Sequence, residues 1–260
     1  MPGLADLDGV EFMTDTDPLI HLENVYFSYF LQSSQSSQSS QPSHTPKSCS
    51  SGKPLLDGVN LSLYAGERIG LVGPIGCGKT TLLHLIVGLH RPTAGTIFAF
   101  GRAREKEKDF HEVRRRAGLV FQYADDQLFC PTVIEDVAFG PLNLGKSPAE
   151  ARAIAGEILR MLDLAGFEER ITYKLSGGEK RLVSLATVLA MQPDVLLLDE
   201  PTIALDANSK QRIATVLDEL PQAMIIVSHE HDFVTNLMTR CVHLENGHLT
   251  ERSSLSRRNL

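Results

Sequence analysis

Residues 73–81 read GPIGCGKTT. A Gly, four residues and then Gly-Lys-Thr is the pattern of a loop that cradles phosphate. Gly73, Gly76 and Gly78 let the backbone turn tightly and aim N–H groups inward, with Pro74, Ile75 and Cys77 between them. A helix starting here adds the positive end of its dipole to the stabilisation of an anion. Lys79 supplies a point charge for β- and γ-phosphates, and Thr80 a hydroxyl of the kind such loops place on Mg²⁺, with Thr81 beside it. Residues 69–72, IGLV, are an apolar run fit for a buried strand. Residues 82–87, LLHLIV, are apolar on nearly every side, as in a helix buried in a core.

Upstream, residues 20–30, IHLENVYFSYF, alternate and are rich in aromatic and β-branched side chains, which reads as an edge strand. Residues 32–41 are QSSQSSQSSQ, and the apolar-poor composition continues to 53. Such a segment cannot offset its ordering entropy, so a flexible excursion between two strands is expected. Strands are expected again at 55–63, 96–100 and 117–121, the last running into Gln122. Ser147-Pro148-Ala149-Glu150 is a helix start with a capping box. Ile154, Ile158, Leu159 and Leu162 recur at helical spacing after it, up to an expected stop at Gly166.

Two late runs are continuously apolar: residues 195–198, VLLL, followed by Asp199-Glu200, and residues 224–227, MIIV, followed by Ser228-His229. Continuous runs suit strands covered on both faces, hence an α/β fold with a parallel sheet. Ligands of such sheets bind at the carboxyl ends of the strands. The Gly73 loop, Gln122, Asp199 and His229 are therefore expected to converge on one phosphate site. There Asp199 would hold Mg²⁺ and Glu200 would polarise an attacking water. Gln122 would offer a side-chain oxygen to Mg²⁺ or the water, and His229 would contact the γ-phosphate.

At 260 residues, the chain suffices for one well-packed α/β domain or two small ones. Its formal net charge of −7 argues against broad contact with nucleic-acid backbone, and its small Arg clusters read as solvated surface. No apolar run is long enough to cross a bilayer, and residues 1–17 are acidic without a hydrophobic targeting core, which reads as a cytosolic protein. Cys49, Cys77, Cys130 and Cys241 lack paired spacing, so free thiols are expected.

A second glycine-rich helix start, Leu175-Ser176-Gly177-Gly178-Glu179, precedes an apolar helical stripe of Leu182, Leu185, Ala186, Leu189 and Ala190 within residues 180–191. LSGGE resembles the signature motif of the ATP-binding cassette family. The loop at 73–80, Gln122, VLLLDE at 195–200, Leu205-Asp206 and His229 fall in that family's order, so the resemblance covers roughly residues 20–250. It implies the cassette fold: a mostly parallel core sheet, an antiparallel β edge and a helical subdomain at about 123–190. A tail at 1–18, a cassette at 19–250 and a tail at 251–260 follow from it. The resemblance also implies a Mg²⁺-dependent ATP hydrolase acting as a head-to-tail dimer of identical chains, each ATP lying between one chain's phosphate loop and the partner's LSGGE. Tyr29 would stack on adenine, Glu200 would be the general base, His229 the switch, and Asp206 a contact across the dimer.

Residues 123–145 and 175–202 are similar to the ATPases of energy-coupling-factor importers, nickel and cobalt members above all. Such importers add an integral membrane coupling protein and a substrate-binding membrane protein, which implies a peripheral place on the cytoplasmic face of the membrane. The implied docking surface spans residues 122–137, with Leu128, Phe129 and Val133 as candidate exposed apolar residues. The alternatives are a soluble mechanical or regulatory ATPase of the same fold, and a P-loop kinase or GTPase, which leaves LSGGE unexplained. Three positions depart from the family's common residues: Ile75 and Cys77 in the phosphate loop, and Ala204 before Leu205-Asp206. The loop places the Cys77 thiol beside the phosphates. Alkylation of Cys77 is therefore expected to slow when ATP is added, and equal rates with and without ATP would contradict that placement.

Overall fold

The computed structural model describes residues 17–29, 53–229, 233 and 237–252. The expected Gln/Ser excursion and both expected tails lie wholly or mostly outside the described residues. In chain order the elements are β1 (Ile20–Phe27), β2 (Leu56–Leu63), β3 (Arg68–Val72), α1 (Lys79–Ile86), β4 (Ala94–Ala99), β5 (Arg102–Ala103), α2 (Glu107–Arg116), β6 (Ala117–Val120), α3 (Val133–Asn143) and α4 (Pro148–Met161). They continue with α5 (Gly177–Leu189), β7 (Val195–Asp199), α6 (Ala207–Glu219), β8 (Ala223–Val227), β9 (Arg240–Glu245) and β10 (His248–Arg252).

The larger sheet runs β10-β9-β3-β8-β7-β6, parallel throughout except for the β9–β10 hairpin. Its register is level where the chemistry lies: Leu71 pairs with Val227, Val227 with Asp199, and Leu198 with Val120. The Gly73 loop, Gln122, Asp199-Glu200 and His229 therefore leave the sheet at one edge. The apolar runs of β7 and β8 are continuous because both faces are covered. Leu196, Leu198, Met224 and Ile226 join the core under α3, α4, α5 and α6, while Val195, Leu197, Ile225 and Val227 join the core under α1, α2 and the second sheet. Each such Leu or Ile contributes about 1.5–3 kcal/mol by leaving water.

The second sheet is antiparallel, in the order β2-β1-β4-β5. β1 is thus an interior strand, pairing with β2 on one side and β4 on the other, not the edge strand its sequence suggested. Alternation reports that one face is buried, here Ile20, Leu22, Val25 and Phe27. It does not report how many neighbours a strand has.

Helix α4 begins as expected: Ser147 N–H donates to Glu150 Oε2 at 2.9 Å and Glu150 N–H to Ser147 Oγ at 3.3 Å. It stops at Met161, before Gly166, because Asp163 takes a left-handed φ of 54° and Leu164 N–H closes back onto Leu159 O at 2.7 Å. A carboxamide-sized side chain thus serves where glycine is commoner. Helix α5 begins at Gly177 and so takes both signature glycines into its first turn, earlier than the expected start at Lys180.

Helix α5 lies tightly on β6. A Cβ at Gly118 would stand 2.1 Å from Val188 Cγ1, and a β-branched side chain cannot swing away. Gly118→Ala is predicted to lower unfolding stability by about 1–3 kcal/mol through overpacking. Adding Val188→Ala should recover most of that loss. A wild-type urea midpoint for Gly118→Ala would contradict the packing.

Candidate active site

The phosphate loop turns where glycine alone fits. Gly73 has φ 153°, and a Cβ there would stand 2.1 Å from the Leu244 carbonyl oxygen of β9. Gly78 caps α1 with φ 109°. Lys79 is buried, and its ammonium donates to the carbonyls of Gly73 and Pro74, both at 2.9 Å. The cation is therefore held over the mouth of its own loop. Cys77 Sγ lies 3.9 Å from Lys79 Nζ, and burial pushes the thiol pKa up even so. The thiolate fraction is kept low, so alkylation at this thiol is slow from the outset. Ile75 at the loop's tip is fully exposed.

Behind the loop, Thr80 Oγ1 donates to Asp199 Oδ2 at 2.6 Å. Asp199 is buried, and its Oδ1 has no hydrogen-bond partner among the described residues. Burial raises its pKa; the Thr80 hydrogen bond opposes that shift and the neighbouring Glu200 charge adds to it. An orphaned carboxylate oxygen beside a hydroxyl is a donor set that suits a hard, oxygen-seeking cation such as Mg²⁺. Glu200 is 8% exposed and adopts φ 47°, with its N–H bonded to Val227 O at 2.9 Å. A non-glycine residue with that φ is uncommon and marks a locally strained backbone. Glu200 Oε2 meets His229 Nδ1 at 2.8 Å. Gln122 stands next to β6, its main-chain carbonyl held by Arg181.

Tyr29 is half exposed, its ring edge-on to Phe27 at 4.9 Å and to His90 at 5.6 Å, with its hydroxyl 2.9 Å from Thr81 Oγ1. The second glycine-rich turn is elsewhere. Ser176 caps α5, its N–H donating to Glu179 Oε2 at 2.8 Å and its hydroxyl accepting from Glu179 N–H, while Leu175 is buried in the core. Among the described residues no hydrogen bond or ion pair joins residues 175–179 to residues 73–81. Asp206, expected to reach a partner, caps α6 within this chain by accepting from the N–H groups of Asn208 and Ser209, both at 3.0 Å. Gly178 is fixed by packing, since a Cβ there would stand 2.6 Å from Ser209 Oγ.

Of the three candidate docking residues, Phe129 is 66% exposed, but Val133 is fully buried and Leu128 packs partly against the core. Val133 opens α3 and turns inward with Ile134 and Val137. The exposed apolar neighbour of Phe129 is instead Phe139, with ring centroids 4.8 Å apart. Sequence reasoning also missed Arg181. It is the last of three consecutive charged residues, Glu179-Lys180-Arg181, so nothing in the sequence marks this one as buried.

The ABC transporter family matches residues 56–203, more than half of the chain. The chain belongs to that family. This ABC cassette is 46% identical over 237 residues, 90% of its length and 80% of the other's, to a provisionally named ABC transporter ATP-binding protein of Nitratidesulfovibrio vulgaris. A cobalt import ATP-binding protein of Rhodobacter capsulatus is 48% identical over 183 residues, 70% of this chain and 65% of that protein. Among solved structures, CbiO1 of Clostridium perfringens, part of the ABC transporter complex CbiONQ, superposes with TM-score 0.75 at 29% identity, covering 90% of this cassette and 87% of that chain. A dimeric ATP-binding cassette in a post-hydrolysis state with ADP and phosphate gives TM-score 0.75 at 28% identity over 90% of this chain and 97% of that one. The cassette is an ATP-binding, ATP-hydrolysing transporter subunit, related to the energy-coupling-factor type near its cobalt members.

Because burial raises the Asp199 pKa, the folded cassette holds this proton more tightly than the unfolded chain. Its contribution to stability is full below the ordinary carboxylate range and is lost as pH rises through that range to the raised value. In nucleotide- and cation-free protein, Asp199→Asn should flatten that decline and raise the Tm at neutral pH, while abolishing Mg²⁺-dependent ATP hydrolysis. A lower Tm at neutral pH would contradict the buried, unpaired charge.

Proposed function

We propose that this cassette hydrolyses Mg-ATP as one half of a head-to-tail dimer and drives import of a small substrate, nickel or cobalt ions first, through integral membrane partners. The observation that carries the hydrolytic part is the cluster at the sheet edge. Thr80 is bonded to Asp199 there, Asp199 keeps a free buried oxygen, and Glu200 is paired with His229.

In this reading the N–H groups of residues 73–81 and the Lys79 ammonium bind the β- and γ-phosphates. The ammonium exchanges two neutral carbonyl acceptors for phosphate oxygens, which bind it more strongly as charge-assisted acceptors. Thr80, Asp199 and Gln122 would hold Mg²⁺, which would supply positive charge to offset the negative charge of the phosphates. Glu200 takes the proton of the attacking water, and His229, in contact with Glu200, orients that carboxylate toward the γ-phosphate. Tyr29, fastened to Thr81, offers a ring for adenine. Leu175, Ser176, Gly177, Gly178 and Glu179 meet the ATP held by the second cassette, with Asp206 between the two chains.

Transport, the membrane partners and a peripheral place on the cytoplasmic face are supported by the relatives above and by the exposed Phe129–Phe139 pair. The choice of cobalt rests on the name of one relative, and nickel on likeness within that branch. No helix among the described residues is long and apolar enough to cross a membrane, so the substrate's path would be built by the partners.

Glu200→Gln should keep ATP affinity and lose turnover by about 10²–10⁴-fold, because it removes the base and leaves the cradle. Retrieved from detergent-solubilised membranes with ATP and Mg²⁺, the tagged Glu200→Gln protein should bring polytopic membrane proteins with it. Recovery with nucleic acid or ribosomes from the soluble fraction alone would favour the non-transport reading of the same fold.

A further inference from the structure

Arg181 is 5% exposed, and among the described residues no carboxylate is within hydrogen-bond reach of it. Its guanidinium donates to two main-chain carbonyls, those of Phe121, at 2.5 Å, and Gln122. The cavity beside its side chain is about 10 Å³ and is walled by apolar residues, Val120, Leu198 and Ile213 among them, which offer the charge no hydrogen-bond partner. Burial lowers the Arg181 pKa, and Asp199 is the one charge that raises it. A buried cation held only by carbonyls is a poor device for stability, since its desolvation is large and its partners are neutral. It is a good device for fixing where two carbonyls stand, because the planar fork binds both at once.

The neighbouring bonds point the same way. Phe121 N–H donates to Gln127 Oε1 at 3.2 Å, and Gln127 Nε2 donates to Ser184 O and Thr187 Oγ1, each at 2.8 Å. Lys180 is paired with Asp125. Residues 121–127 are thus fastened to α5 at four successive positions on that helix, Lys180, Arg181, Ser184 and Thr187. The same helix begins at the Ser176 cap.

We infer that Arg181 is a positioning residue that locks the main chain of Gln122 to the N-terminal turn of α5, so that the state of the nucleotide site sensed at Gln122 moves residues 176–179 as one body with it. The inference rests on the proposed roles of Gln122 and of the Ser176–Glu179 turn. Charge without fork geometry does not reproduce the lock, so lysine, which offers a single point of attachment, restores only part of it.

The test uses the full chain and compares wild type, Arg181→Met and Arg181→Lys. Arg181→Met fills the same volume without the charge. It should leave the cassette folded and ATP affinity within about threefold, while kcat measured well below the Tm falls at least about tenfold, and Arg181→Lys should recover part of kcat. In the Glu200→Gln background, Mg-ATP should change hydrogen exchange of residues 121–127 and 176–182 together. With Arg181→Met added, residues 121–127 should still respond and residues 176–182 should not. Wild-type kcat in Arg181→Met, a kcat loss that merely follows a fallen Tm, or an unchanged joint response overturns the inference. A wild-type chain that does not hydrolyse Mg-ATP at all overturns the proposed function instead.

Discussion

The hydrogen bond from Thr80 to Asp199 joins the first turn of α1 to the last residue of β7, across a gap of 119 positions in sequence. It can form only if β3 and β7 lie in one parallel sheet with level ends, β8 between them, and if the loop after β3 turns within the space that Gly73 leaves against Leu244. Sheet order, register and loop geometry therefore meet in one contact of 2.6 Å. The carboxylate it leaves half-satisfied is the electrostatic centre of the site. Thr80 stabilises one oxygen, and the other has no hydrogen-bond partner among the described residues.

The rest of the molecule keeps this centre in place. The two cores press on opposite faces of the sheet, which is why alternate residues of β7 fall into different clusters. Helix α5 connects the regions by its packing: Gly118 admits it onto β6, Gly178 admits it onto α6, and Arg181 binds it to the carbonyls beyond β6. A single helix thus touches the strand end that carries Gln122, the loop that carries Asp206, and the glycine turn proposed to face a second cassette. Small residues fix its distance, and one cation fixes its register.

Much of this was legible in the sequence. The phosphate loop, the strand ends at Asp199 and His229 and the cap at Ser147 all depend on local chemistry: glycine where φ is positive, acid after an apolar run, serine before a helix. What could not be read depends on partners distant in sequence. The interior place of β1 is set by pairing with both β2 and β4. Helices were expected across residues 123–190 from the family resemblance, but the bounds and facing of α3 were not, and Gly140 lies inside that helix and close to Met191. The inward turn of Val133 and the exposure of Phe139 follow from which face of that helix packs on the core. The role of Asp206 as a cap was concealed by a family motif that drew attention to a partner chain, while its local bonds to Asn208 and Ser209 went unconsidered.

The proposed head-to-tail dimer requires a second cassette to complete the hydrolytic site, since among the described residues no hydrogen bond or ion pair joins the glycine turn at 175–179 to the loop at 73–81. The direct measurement is Mg²⁺-dependent ATP hydrolysis per chain as a function of protein concentration, with association followed by light scattering on the same samples. The account predicts that turnover per chain rises with concentration in step with dimer formation and vanishes on dilution to monomer. Turnover per chain that stays constant down to concentrations where the protein is monomeric would contradict it.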